Sequence, residues 1–329
     1  MNDAATGAEI VRFSHVSKHY SGTLANDDVS LTIRRGEVFA LVGENGAGKS
    51  TLMNLLYGLQ APTLGEIYIK GKPTGPQHGP ENAMRMGVSM VHQHFKLVPS
   101  FTVAQNVMLG HEPRRGLFYD GHEAEETVRR LSAEYGLKVE PGDVVRDLSV
   151  GIQQRVEILK ALRTGADVLI LDEPTAVLTP QEAEELFEVI RRVVEEKNMT
   201  VILITHKLGE VMAISDRVGI MRQGRLVGLS DTKDITEKQI ASMMVGRPVQ
   251  LVVEKDPARP AEPVLTVEHL RVPSRLYKHD AVKDVSFTAR AGEIVCIAGI
   301  DGNGQTDLVY ALTGLEKPSG GRITLCGHD

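Results

Sequence analysis

Four short apolar runs punctuate the chain, at residues 38–42, 88–91, 168–171 and 201–204. Three are continuous rather than alternating and the one at 88–91 is interrupted only by Ser89, the pattern of strands buried on both faces of a helix-covered parallel sheet. Segments 10–18 and 29–38 instead alternate apolar and polar positions. They predict an antiparallel edge, joined by a strand-turn pair over 66–70 and 71–74. Helical spacing fills the intervals: Leu52, Leu55 and Leu56 define a helix that stops at Gly58. Residues 101–147 read as helical, with one clear segment from Glu123 through Val128, Leu131 and Tyr135 to Gly136. Ser149 caps a helix bearing Val156, Leu159 and Leu162. Thr179-Pro180-Gln181-Glu182 is a capping box with Pro at the first helical position. It opens a helix with an apolar face of Leu186, Ile190, Val193 and Val194 and a solvated face of acids. The expected class is α/β: a mostly parallel core sheet flanked by helices, an antiparallel β edge and a helical subdomain at about 95–160.

Composition adjusts this picture only slightly. The 329 residues are 42% hydrophobic and 24% charged, with no Trp and a net charge of −6. The length suggests two units, and the charge offers no overall attraction to nucleic acid. No apolar run approaches 18 residues, and the first residues show no signal-peptide pattern. Cys296 and Cys326 lie in apolar, strand-like stretches and read as two buried, reduced thiols.

The candidate chemistry centres on Gly43-Glu44-Asn45-Gly46-Ala47-Gly48-Lys49-Ser50-Thr51. This G-x-x-x-x-G-K-[ST] stretch lies between a buried strand and a helix start, the context in which it cradles phosphate. Glycines let backbone N–H groups wrap an anion, and the helix end adds partial positive charge. Lys49 would reach the β- and γ-phosphates of a nucleotide, and the Ser50 hydroxyl would hold Mg²⁺. The strand at 168–171 ends in Asp172-Glu173, an expected partner of that loop: Asp172 for the Mg²⁺ shell, Glu173 to polarise water. His206 ends the strand at 201–204 and could hydrogen-bond a γ-phosphate. Tyr20 either stacks on an adenine ring or packs locally. His92 and His94 sit at i and i+2 on a strand, on opposite faces, so Gln93 between them is better placed to see the nucleotide. The helix start at Leu148-Ser149-Val150-Gly151-Ile152 either receives a phosphate or is a plain capped helix.

A repeat runs through the chain. Gly43, Gly46 and Gly48 recur as Gly299, Gly302 and Gly304. Leu52, Pro62, Gly65 and Gly71 recur as Leu308, Pro318, Gly321 and Gly327. The offset is constant, since 299 − 43 and 327 − 71 both equal 256. Residues 1–250 therefore read as one unit, 251–263 as a Pro-rich linker, and 264–329 as about the first quarter of a second copy. A fragment of a longer protein is expected, because an isolated quarter would leave its central strand and helix unburied. The second loop is altered: Gln305 replaces Lys49 and Asp307 replaces Thr51, which should weaken anion binding.

This order of parts resembles the nucleotide-binding subunit of an ATP-binding-cassette (ABC) transporter, a P-loop NTPase, over residues 8–250 and again from 264. The resemblance implies Gly43–Thr51 as Walker A, Gln93 as the Q-loop and a Mg²⁺ ligand, Asp172-Glu173 as Walker B and His206 as the switch histidine. It implies Leu148–Ile152 as the signature, which acts across an interface on the ATP held by another cassette. The wording VHQHFKLVPSFTVAQNVMLG, LSVGIQQRVEILKAL and DEPTAVLTPQE is similar to the nucleoside-import branch of the simple-sugar importers. ATP and Mg²⁺ are the implied cofactors. The implied partners are integral-membrane permeases, an extracytoplasmic solute-binding protein, and a second cassette in the same chain or a second copy. The implied location is the cytoplasmic face of the membrane, with no nucleic acid. Val150 and Ile152 depart from the family's Gly and Gln, and Thr179 stands where Asp is common.

Two other classes remain to be weighed. A tandem-cassette ribosome-associated ATPase calls for a long charged linker and a Lys in both loops, whereas this linker is short and position 305 is Gln. A pure binding module without turnover would have no use for Glu173 and His206.

Overall fold

The computed structural model describes residues 7–93, 95–116, 118–249, 257–274, 279–299 and 302–328. The chain divides into two compact units, 1–251 and 252–329. His94 and residues 251–256 of the expected linker lie outside the described residues.

The first unit is built on a six-stranded sheet ordered Arg225–Asp231, Arg217–Arg222, Val38–Gly43, Thr200–Ile204, Val168–Asp172 and Val88–Val91. All neighbours are parallel except the outer pair, Arg217–Arg222 with Arg225–Asp231. The apolar runs at 38–42, 168–171 and 201–204 are thus inner strands and Val88–Val91 is an edge strand, and every residue of Val38–Gly43 is buried. Side chains of that strand divide by the two-residue period of a β-strand. Phe39 and Leu41 join the core formed with Leu52, Leu55 and Leu56, while Ala40 and Val42 pack with Val211 and Ile240 on the other face. A second, antiparallel sheet orders Thr23–Arg34, Glu9–Tyr20, Leu64–Ile69 and Lys72–Pro73. Its inner face, including Phe13, Val29, Leu31 and Ile67, closes the core over the helix Lys49–Leu56.

The base of the central strand carries a buried ion pair. Arg217 Nη1 donates to Glu37 Oε1 at 3.0 Å and to the Thr32 carbonyl at 3.2 Å. Burial pushes the Glu37 carboxyl upward, against the pull of the Arg34 N–H and of Arg217. The Arg34 N–H also donates to Glu37 at 2.7 Å, so the carboxylate fastens the turn entering the strand.

The continuous helical reading of 101–147 needs correction. The chain there forms helices Val103–Met108 and Gly121–Tyr135, a one-turn 3₁₀ segment Val145–Asp147, and a hairpin, Arg114–Arg115 with Phe118–Tyr119. Gly110, Pro113 and Gly116 break the helical path, the two glycines at φ 81° and 68°. Thr102 caps the first helix with a reciprocal bond to Gln105. These helices and Val150–Leu162 share a core through Val107, Val128 and Val156.

The second unit holds a three-stranded antiparallel sheet, Asp280–Arg290, Pro263–Pro273 and Gly320–Leu325, and the helix Gln305–Leu312. Its details echo the first unit's edge sheet. His15 Nδ1 pairs with Asp28 Oδ1 at 2.7 Å, and His269 Nδ1 with Asp284 Oδ1 at 2.8 Å. Gly48 and Gly304 both cap their helices in the left-handed region, at φ 96° and 90°. One part has no echo: the segment aligned with Val38–Gly43 forms no strand, and Ile294 is 89% exposed. Cys296 and Cys326 are exposed, contrary to the sequence expectation of buried thiols. Cys296 lies in that unpaired segment, and Cys326 occupies a turn at φ 50°.

Candidate functional site

The site assembles where three parallel strands end. Val38–Gly43 delivers the loop, Val168–Asp172 delivers two acids, and Thr200–Ile204 is followed by His206. Pairing of Ile204 with Asp172 and with Leu41 brings these ends level. Glycine is required at two loop positions by close approach. A Cβ on Gly43 would sit 2.4 Å from the Met221 carbonyl, and one on Gly48 would sit 2.3 Å from the Ala25 carbonyl.

Lys49 is buried at the loop's centre, its Nζ donating to the Gly43 and Glu44 carbonyls at 2.7 and 3.0 Å. Burial lowers its pKa, opposed by the charges of Glu173 and Asp172. Ser50 Oγ donates to Asp172 Oδ1 at 3.4 Å. Burial raises the Asp172 carboxyl, as does the Glu173 charge beside it, while the Ser50 bond and Lys49 act the other way. Glu173 stands at φ 48°, its N–H held by the Ile204 carbonyl at 2.9 Å. Its two carboxylate oxygens are divided: Gln93 Nε2 donates to one at 3.2 Å, and His206 Nδ1 lies 2.9 Å from the other. The His206 bond needs the tautomer with the proton on Nδ1.

A cleft of about 490 Å³ opens over this cluster. Asn45, Gly46, Gly48, Lys49, Ser50, Thr51, Gln93 and Glu173 line it. The structure thus brings together the phosphate loop, Gln93, both acids and His206. Tyr20 ends the strand Glu9–Tyr20 and is not among the lining residues; its hydroxyl donates to Gln60. Leu148–Ile152 do not line the cleft either. Ser149 caps the helix Val150–Leu162, and Gly151 lies so near Glu182 that a Cβ would come within 2.1 Å of its carboxylate. Val150 is 42% exposed, so its side chain is available to another surface. Sequence reasoning missed Thr23, Leu24, Ala25, Gln223 and Gly224, which complete the cleft wall. Gln223-Gly224 is a tight turn with both residues at positive φ, and only that turn signal could have pointed to it.

Comparison with known proteins matches this architecture. CbiO1 of Clostridium perfringens, part of an ABC transporter complex, superposes with a TM-score of 0.61 at 29% identity. The match covers 72% of this chain and 93% of that one. A nucleotide-free cassette from an ABC transporter shares the fold, with a TM-score of 0.63 at 24% identity over 72% of this chain and 95% of its own. The fold is therefore that of a P-loop ATP-binding cassette. The profile of the family described as "ABC transporter" matches residues 26–176 and 282–329, and the chain belongs to that family. It is 47% identical over 320 residues to a nucleoside import ATP-binding protein of Lactococcus lactis. It is 46% identical over 318 residues to a guanosine import ATP-binding protein of Bacillus subtilis. These matches cover 97% of this chain but only 63% and 62% of the relatives' own length. Among the described residues, no helix is long and apolar enough to cross a membrane.

Proposed function

We propose that the chain is the ATP-hydrolysing part of an ABC importer, coupling ATP turnover to uptake of a nucleoside or simple sugar through separate permease subunits. One observation carries this reading: Lys49, Ser50, Gln93 and Glu173 line one cleft, and Asp172 and His206 are bonded to Ser50 and Glu173 behind it, six residues from four separate segments. The donor set suits Mg-ATP. Asp172 is a buried carboxylate whose charge burial disfavours, with a hydroxyl beside it; hard oxygen donors of this kind suit Mg²⁺. Mg²⁺ there would be held by Ser50 and Asp172 with Gln93 nearby, and would neutralise charge on the phosphates. Lys49 would leave its two carbonyl partners for the phosphates. Glu173 would accept a proton from the attacking water, with His206 and Gln93 orienting its two oxygens.

The same reading extends to partners. Residues 252–329 would begin a second cassette in the chain, and Leu148–Ile152 would complete a nucleotide site belonging to another cassette. An extracytoplasmic binding protein would supply the solute, and the chain would work at the cytoplasmic membrane face. The nucleoside branch is favoured by the Lactococcus and Bacillus relatives. The test is Glu173→Gln in the intact protein assembled with its permeases. ATP hydrolysis should fall by a factor of about 10²–10⁴, the usual worth of a general base, while ATP stays bound. Undiminished turnover would refute the role of Glu173. Absence of turnover in the parental protein would favour a binding module instead.

A further inference from the structure

A buried amide beside the phosphate loop has no role in the site as described so far. Asn26, on the strand Thr23–Arg34, is 0% exposed, packed against the backbone of Gly48 and Gly224. Its Nδ2 donates to the Gly48 carbonyl at 3.1 Å, while its Oδ1 has no partner. An unsatisfied buried acceptor is a standing cost of roughly 1–3 kcal/mol, so Asn is a poor choice here for stability alone.

The geometry of the peptide explains the choice. In a trans peptide the carbonyl and the N–H point in opposite directions. The Gly48 carbonyl accepts from Asn26 on one side and from the Leu52 N–H, at 2.9 Å, along the helix. The N–H of the same peptide belongs to Lys49, and it must therefore point backwards out of the helix start, towards the cleft. The preceding peptide is held in a parallel way: the Ala47 carbonyl accepts from the Gly224 N–H at 3.1 Å, and the Gly224 carbonyl accepts from the Asp27 N–H at 2.9 Å. Two successive loop peptides are thus clamped from outside by the edge sheet and the 223–224 turn. The second unit supplies a comparison within the same chain. Position 282, at the same offset of 256 from 26, is Val, buried in that unit's core, and the Gly304 cap there meets no side-chain donor from it.

We propose that Asn26 is a positioning residue of the first phosphate loop, its amide fixing the Gly48 peptide so that the Lys49 N–H faces the phosphates. This rests on the reading of the cleft as an ATP site. The test measures ATP binding, steady-state ATPase and the melting temperature without nucleotide, all in the intact protein. Asn26→Val installs the residue of the second unit and removes the orphaned acceptor. It should weaken ATP binding and raise KM about 5–10-fold, the net worth of one hydrogen bond, with kcat within about twofold. The nucleotide-free protein should melt no lower than the parent. Asn26→Asp keeps the shape but loses the donor, and should weaken ATP binding at least as much. Unchanged ATP affinity in Asn26→Val overturns the proposal, as does a loss of affinity that comes with an equal loss of melting temperature. Lys49→Ala is the control for the cleft itself. If that variant still binds ATP normally, the ATP-site reading fails before Asn26 is at issue.

Discussion

The chain contains two glycine loops of one design and two different fates. In the first, Gly43–Thr51, a buried strand leads in, and a lysine lies across two loop carbonyls. In the second, the glycines and the left-handed helix cap persist, but the leading segment is unpaired and exposed. Gln305 takes the lysine's place, its amide lying against Gly299 as the Lys49 ammonium lies against Gly43. The comparison separates two requirements that a motif merges. Glycine spacing and the cap come from local backbone preference, and they form even in the small unit. A binding site needs in addition a positive charge, here Lys49, and paired strands, which for Val38–Gly43 come from Thr200–Ile204 and Arg217–Arg222.

The most forceful way to break the comparison is to convert the first loop into the second. Lys49→Gln with Thr51→Asp removes one positive charge and adds one negative charge beside the phosphates. At about 5 Å and an effective dielectric of about 20, each change is worth up to ~3 kcal/mol. ATP binding to the intact protein should fall at least ~100-fold by calorimetry, a drop that 2.8 kcal/mol or so would produce. Retained binding would mean that glycine geometry alone suffices.

The converse conversion sharpens it. Gln305→Lys with Asp307→Thr should tighten nucleotide binding at the second loop, by about 10-fold rather than 100-fold, because Val282 stands there where the first loop has the Asn26 amide. Hydrolysis should not double. If nucleotide counts per chain and ATPase rate rise together, the amide at position 26 matters less than the two side chains.

A smaller effect concerns Asp172, whose carboxyl burial raises. Between the ordinary carboxylate range and that raised value, the native state keeps a proton that the unfolded chain has released. Stability should therefore fall as pH climbs through this interval. Asp172→Asn removes the contribution, so the nucleotide-free protein should gain about 1 kcal/mol at neutral pH and lose part of its slope. Melting curves of the two proteins across mildly acid to neutral pH decide it; a variant that tracks its parent at every pH refutes the assignment.

Those contrasts also show what could be read from residues alone. The inner strands were legible because burial on both faces leaves nothing but apolar residues, as in Val168-Leu169-Ile170-Leu171. The caps at Ser149 and Thr179 were legible because each bond spans three residues. The hairpin at Phe118–Tyr119 was not, since two-residue strands show no alternation. Residues 294–299 carry nearly the apolar pattern of 38–43 yet form no strand. Pattern proposes a strand, but partners make it, and those of 38–43 arrive from Thr200–Ile204 and Arg217–Arg222. Asn26 and Gly224 escaped for the same reason: what they touch is decided by the fold, across 22 residues for the Asn26–Gly48 bond and nearly 200 for the Asp27–Gly224 bond. Cys296 was misread because its apolar neighbours imply a burial that only such partners provide.

The order of strands in the main sheet has a consequence for how the protein is made. Val38–Gly43 lies between two strands that are encoded about 160 to 180 residues later. At ribosomal speeds of about 5–20 residues per second, the phosphate-loop strand waits roughly 8–36 s after leaving the ribosome before either neighbour exists. During that interval its apolar residues have only the edge sheet and the helix Lys49–Leu56 for cover. Newborn chains should therefore pass through a stage in which the edge sheet and first helix are formed but the nucleotide cleft is not, a stage well suited to capture by a chaperone.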